Sequence, residues 1–162
     1  RMRSRGGAND SPSRNLSRWI AGLAAEDPAG LAVRQVWRAD RMGRGGDHLP
    51  FLERGLPAIR LIVAVEDYEH QHQDVRVEDA IAYGDTVAEM DFAYLAAVTR
   101  LNVRAADRLS RAPMPPVVDI DGVVRNDTVI EWLPVPGAAG YRIWRRATDA
   151  RDWELRLETA HD

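Results

Sequence analysis

Between residues 111 and 116 the chain reads Arg-Ala-Pro-Met-Pro-Pro, with three prolines in four positions. Proline locks φ near about −65° and removes a backbone donor, so neither a helix nor a central strand runs through such a segment. It favours a semi-rigid, extended connection. This stretch divides the chain into two textures. Residues 1–111 carry helical and buried-strand patterns, residues 112–116 form the linker, and residues 117–162 carry short alternating runs.

The first part opens with a polar, glycine-containing decapeptide expected to be mobile. Ser11-Pro12 then reads as an N-cap followed by proline at the first helical position. Leu16, Trp19, Ile20 and Leu23 follow on one helical stripe that runs to about Ala25, before Asp27-Pro28 and Gly30. Residues 31–38 alternate as a strand would. A glycine-rich loop spans Asp40–His48, and Pro50–Arg54 reads as a short helix closed by Gly55. Ile59–Val65 is the clearest buried strand. Thr86-Val-Ala-Glu89 has the form of a capping box opening a long helix. Its apolar face would be Met90, Tyr94, Ala97, Val98, Leu101, Ala105 and Leu109. In the second part, Thr128–Leu133, Tyr141–Arg145 and Trp153–Leu157 read as strands, with Pro134, Pro136, Gly137 and Gly140 making a turn between the first two. The fold class expected is therefore α/β in the first part, followed by an incomplete antiparallel β-sandwich-like module, since a sandwich takes about 100 residues.

Composition removes several chemistries. The chain has no cysteine, which excludes disulfides, thiolate metal sites and cysteine nucleophiles from these 162 residues. All 22 basic residues are arginine, so lysine Schiff bases and P-loop lysines are absent too. With 25 acidic residues the net charge is −3, which argues against nucleic acid as a partner. No apolar run is long enough for a membrane span; Pro57–Val65 is short and contains Arg60. No apolar leader follows Arg1, and a start at arginine suggests a piece of a longer chain. Neither a Gly-x-Ser-x-Gly elbow nor a glycine-rich nucleotide loop occurs.

Chemistry concentrates in two loops beside predicted strands, where open α/β sheets collect ligand-binding groups. Glu66-Asp-Tyr-Glu-His-Gln-His-Gln-Asp74 holds two imidazoles, His70 and His72, and four carboxylates directly after the buried strand. Imidazole and carboxylate together suit zinc. A solvated polar loop is the plainer reading, because His-x-His is a weak pattern. Gly45-Gly-Asp-His-Leu-Pro-Phe51 is the second loop, where Asp47 could orient His48. A tight turn into a short helix explains the same residues. His161, beside the end of the sequence, reads as an exposed residue.

Taken together, Gly46-Asp-His-Leu-Pro-Phe-Leu-Glu-Arg-Gly-Leu-Pro-Ala-Ile59 and Glu66–Arg76 resemble dizinc aminopeptidases of the bacterial leucyl aminopeptidase and glutamate carboxypeptidase type. That family has Ser-Asp-His-x-x-Phe, then Gly-(Ile/Leu)-Pro-Ala, a strand, and a loop with a zinc-binding histidine in a His-x-x-x-Asp pattern. Gly46 stands where the family has serine. Tyr83-Gly-Asp85, Asp91–Leu95 and Asn102 look like its closing helix, so the resemblance covers roughly residues 9–112. Asp127–Trp132, Pro136–Arg146 and Trp153 look like the first strands of a fibronectin type III domain.

The resemblance implies part of a three-layer αβα sheet followed by a truncated fibronectin-like module. It implies a zinc exopeptidase that cleaves N-terminal peptide bonds, secreted or periplasmic, with two zinc ions in the complete enzyme. His70 fits the His-x-x-x-Asp spacing and His72 is the next choice; the sequence does not separate them. Asp47, His48, Glu66 and Asp67 would line the pocket. The other metal ligands and the general base would lie in an N-terminal half outside these residues, so no catalytic residue is assigned here and the fragment would be inactive alone. Two other classes remain. One is a non-catalytic relative of the same fold acting as an interaction protein. The other is a binding module whose β unit contacts glycan or protein.

Overall fold

The computed structural model describes residues 9–28, 30–36, 45–150 and 152–160. The expectations for residues 1–8, 37–38, 40–44 and 161 lie outside these. Two units divide between Ala106 and Asp107, inside the third helix.

In the first unit, α1 (Pro12–Ala25) begins where Ser11 and Pro12 indicate. The Ser11 hydroxyl accepts the Arg14 backbone N–H at 3.3 Å, satisfying a donor that the first helical turn leaves without a partner. The apolar stripe does what its spacing requires. Ile20, Leu23 and Ala24 are buried with Leu101 and Ala105 of α3 (Phe92–Arg111), and Leu16, Trp19, Leu31, Val33 and Ile59 pack around them. Two hydroxyls of α1 tie passing chain to this core. Ser13 accepts from the Ala58 N–H at 3.2 Å, and Ser17 donates to the Gln35 amide oxygen at 3.1 Å.

The short helix α2 (Leu49–Glu53) ends at Gly55, whose φ of +77° lets Leu56 N–H reach back to Phe51 C=O at 3.0 Å. The long helix starts later than expected. Thr86 makes no side-chain cap; Val87–Glu89 is a single 3-10 turn, and Met90 returns to extended backbone. Asp91 caps α3 instead, its carboxylate accepting the Tyr94 N–H at 2.9 Å. Of the expected apolar face, Leu101 and Ala105 are buried, whereas Tyr94, Met90 and Leu109 are exposed.

The strands expected at residues 31–38 and Ile59–Val65 form no ladder over their described parts. A strand exists by lateral hydrogen bonding to a neighbour, and no described strand lies beside either segment. Leu61, Ile62, Val63 and Val65 stay exposed as a result, Val65 at 85%. Instead a small hairpin follows: β1 (Arg76–Glu78) pairs antiparallel with β2 (Ile81–Tyr83), Arg76 opposite Tyr83. Asp79 and Ala80 turn it with φ of 50° and 65°, the left-handed pair that a two-residue hairpin demands.

In the second unit, β3 (Val118–Asp121) pairs with β4 (Val129–Trp132), and β5 (Gly140–Arg145) pairs with β6 (Glu154–Ala160). All three expected strands are present, and β3 is an addition. Each antiparallel pair is a sheet of two strands, with an irregularity between Ile143 and Trp144. Gly137 (φ +82°) makes the expected turn, and the Tyr141 hydroxyl accepts the Val135 N–H at 2.6 Å. The rings of Trp132 and Tyr141 meet at 5.2 Å. Among the described residues, no helix is long and apolar enough to cross a membrane.

Candidate functional site

The acidic loop after Val65 is ordered by its own polar groups. The Asp67 carbonyl accepts the Gln71 N–H at 3.1 Å, closing a turn over residues 68–72. One Asp67 carboxylate oxygen accepts the Glu69 N–H at 3.0 Å. Its other oxygen lies 2.8 Å from His70 Nδ1. A carboxylate has no proton to give, so Nδ1–H donates and the neutral ring keeps its lone pair on Nε2. The nearest acid to that nitrogen is Glu89, with Oε1 at 3.8 Å. The His70 side chain is 21% exposed, and Glu89 reaches it from the 3-10 turn before α3.

These contacts shift both partners of the bond. The hydrogen bond from His70 holds the Asp67 carboxyl below its ordinary range, and partial desolvation opposes this. The same bond raises His70 above the ordinary histidine value. Desolvation again opposes the shift, and the negative charges of Asp67, Glu89 and Glu69 reinforce it.

His72 is in a different position. It is exposed and occupies the left-handed region at φ 56°, the corner where the loop turns. Glu66 accepts from the Gln71 amide at 3.2 Å, so it fastens the loop. Asp47 is exposed in the turn before α2. The half-buried His48 ring lies against Gly46, where a Cβ would come within 2.8 Å of Nδ1. Glycine at residue 46 is therefore what admits this ring position. The structure brings together Asp67, His70 and Glu89. Asp67 faces Nδ1 and Glu89 faces Nε2, so the three do not converge on one point, and among the described residues no group of three or more such side chains is placed to hold a metal ion.

Three participants were hidden in the sequence. Glu89 reads there as half of a capping box, and its approach to His70 follows from that box not forming. Arg76 and Gly84 lie in stretches that carry the resemblance but have no role of their own in it. Gly84 is buried at φ +122°, and its N–H donates to the Glu69 carbonyl at 3.1 Å. A Cβ there would meet the Val75 Cα at 2.7 Å. That close approach is the signal an isolated glycine after a strand can give.

The chain is similar to fungal proteins that carry the name probable zinc metalloprotease. It is 43% identical over 157 residues to one from Leptosphaeria maculans, an alignment covering 94% of this chain and 36% of that protein. It is 40% identical over 157 residues to one from Pyrenophora tritici-repentis, covering 94% and 32%. For one from Pyricularia oryzae the identity is 40% over 162 residues, again covering 94% and 32%. The similarity takes in nearly all of both units, yet the chain spans only about a third of the length of these relatives. No family model and no solved structure matches the chain.

Proposed function

We propose that this chain is one part of a zinc exopeptidase of the aminopeptidase type, to which it contributes a single metal ligand, His70. The observation that carries the reading is the Asp67–His70 hydrogen bond. Metal-binding imidazoles characteristically donate their second nitrogen to a carboxylate, which fixes the tautomer and makes the free nitrogen more basic. Asp67 does this for His70 at 2.8 Å. His72, exposed at the loop corner, has no such orientation.

The donor set passes the test only in part. Zinc takes imidazole and carboxylate ligands, and His70 supplies one imidazole, with Glu89 3.8 Å from its Nε2. That is one ligand of a coordination shell, and on this reading the remaining ligands come from protein outside these 162 residues. When bound, a pair of zinc ions polarises the scissile carbonyl and acidifies the attacking water. In this chain Asp67 holds His70 in its ligating tautomer, Glu66 and Gln71 brace the turn, and Asp47 and His48 form pocket wall. The similarity to named metalloproteases supports peptides as substrates; the amino-terminal direction and a secreted location rest on the motif resemblance.

The same reading makes Ile59–Val65 a strand of a three-layer sheet whose neighbours are supplied by the rest of the protein, which accounts for its exposed apolar side chains. It makes the second unit the start of a fibronectin-like module, with β3–β4 and β5–β6 as parts of two different sheets.

The test uses the natural full-length protein. His70→Ala should lose about one zinc per molecule by metal analysis and cut aminoacyl-anilide hydrolysis by at least about a hundredfold. His72→Ala should keep both properties. Full zinc content and activity in His70→Ala would remove the assignment. A wild-type protein with neither zinc nor peptidase activity would place it among non-catalytic relatives.

A further inference from the structure

Arg76 is the sole arginine between residues 61 and 99, a stretch with nine carboxylates: Glu66, Asp67, Glu69, Asp74, Glu78, Asp79, Asp85, Glu89 and Asp91. Its guanidinium makes contacts through two nitrogens and one face. Nη1 donates to the Gln73 amide oxygen at 3.0 Å and to the Asp74 carbonyl at 3.4 Å. Nε donates to Glu78 at 3.1 Å, and the plane lies 4.1 Å from the centre of the Tyr83 ring, its cross-strand partner. Gln73 passes the link onward, its amide N–H donating to the Tyr68 carbonyl at 3.2 Å. One side chain thus joins the hairpin directly to the far limb of the turn and, through Gln73, to Tyr68, one residue from Asp67 and two from His70.

We propose that Arg76 is the positioning residue of the His70 loop: it clamps the turn to the β1–β2 hairpin, so that the Asp67–His70 pair is already in place when a metal arrives. The proposal rests on the reading of His70 as a ligand. It follows from what else holds the loop. From residue 60 to residue 89 the one buried residue is Gly84, so the loop has no apolar anchor. The main-chain bond from Gly84 to Glu69 and the fork of Arg76 tie it to the hairpin. Lysine cannot replace that fork. A single ammonium has no plane to stack on Tyr83 and does not span Gln73, Asp74 and Glu78 together.

The experiment compares Arg76→Ala, Arg76→Lys and His70→Ala in the natural full-length protein. Zinc affinity is read by chelator competition, kcat and KM are measured separately, and amide exchange is followed at Gln71 and Gly84. Arg76→Ala should weaken zinc retention about ten- to a hundredfold, lower kcat with KM nearly unchanged, and speed exchange at both amides. Arg76→Lys should recover little of any of these. If charge alone matters, Arg76→Lys will behave as wild type, and the clamp is overturned. Wild-type zinc affinity in Arg76→Ala, beside a loss in His70→Ala, overturns the clamp while leaving His70 a ligand. Zinc retained in His70→Ala overturns the ligand reading; amide exchange in Arg76→Ala then decides the clamp, unchanged rates ending it. Should Arg76→Ala fail to fold, Gln73→Ala removes the onward link alone and should show the same changes, smaller; no change there counts against the proposal.

Discussion

The first unit contains two regions held by different forces. Around α1 and α3, order comes from burial: Ile20, Leu23, Ala24, Leu101 and Ala105 are removed from water, and the helices satisfy their own backbone. From residue 60 to residue 89 almost nothing is buried, and order comes from carboxylate, amide and guanidinium contacts. The first kind of order is non-directional and tolerant of neighbours; the second depends on individual atoms. The candidate ligand lies in the second region, where small changes in geometry reach its ring without disturbing the core.

The largest effect should come from the apolar side. Leu23 is 2% exposed, and Leu23→Ala should cost about 2–5 kcal/mol in a denaturant melt. Ile62→Ala, at a residue 43% exposed, should cost less than about 1.5 kcal/mol. An equal loss at both sites in the full-length protein would show that the apolar segment is covered there, and the contrast would shrink to a property of these 162 residues taken alone. Next comes Gly84→Ala. Its positive φ and the Val75 backbone at 2.7 Å combine strain with overpacking, for a cost of about 2–4 kcal/mol. Amide exchange should rise across residues 68–72 and stay slow in α1. Equal deprotection of α1 would join the two regions into one cooperative unit.

The smallest effect is electrostatic. His70, raised in the folded state, contributes stability that is complete below the ordinary histidine value and lost as pH rises through its raised one. Asp67, lowered in the folded state, contributes stability present above the ordinary aspartate value and lost as pH falls through its lowered one. The ion pair therefore works between the two shifted values. Asp67→Asn should bring the His70 titration, followed by NMR, down toward the ordinary histidine value. An unmoved titration would mean that Glu89 and Glu69 dominate the site.

Where elements are closed by neighbouring residues, they were legible in advance. Ser11-Pro12 and the Leu16–Leu23 stripe specify α1, Gly55 ends α2, and alternation around Trp132, Ile143 and Leu155 marks three strands. The capping box at Thr86 was legible and misleading, because Asp91 competes for the same role and takes it. The hairpin at residues 76–83 was missed: its strands are three residues long, and its turn, Asp79-Ala80, lacks the expected glycine. In the candidate site, the composition of the loop was visible from the start. The resemblance put His70 before His72 by its spacing to Asp74 without separating them; the Asp67 bond that distinguishes their surroundings was not visible.

By itself, the sequence determined the local things: helix ends, apolar stripes, the absence of thiol and lysine chemistry, and a loop dense in imidazole and carboxylate. Each depends on residues a few positions apart or on composition alone. Only the tertiary structure decided that Asp67 holds His70, that Glu89 comes within 3.8 Å of its other nitrogen, and that Arg76 binds loop to hairpin. Hydrogen bonds are directional and act within about 3 Å, so which partner a side chain finds is settled by the path of the backbone.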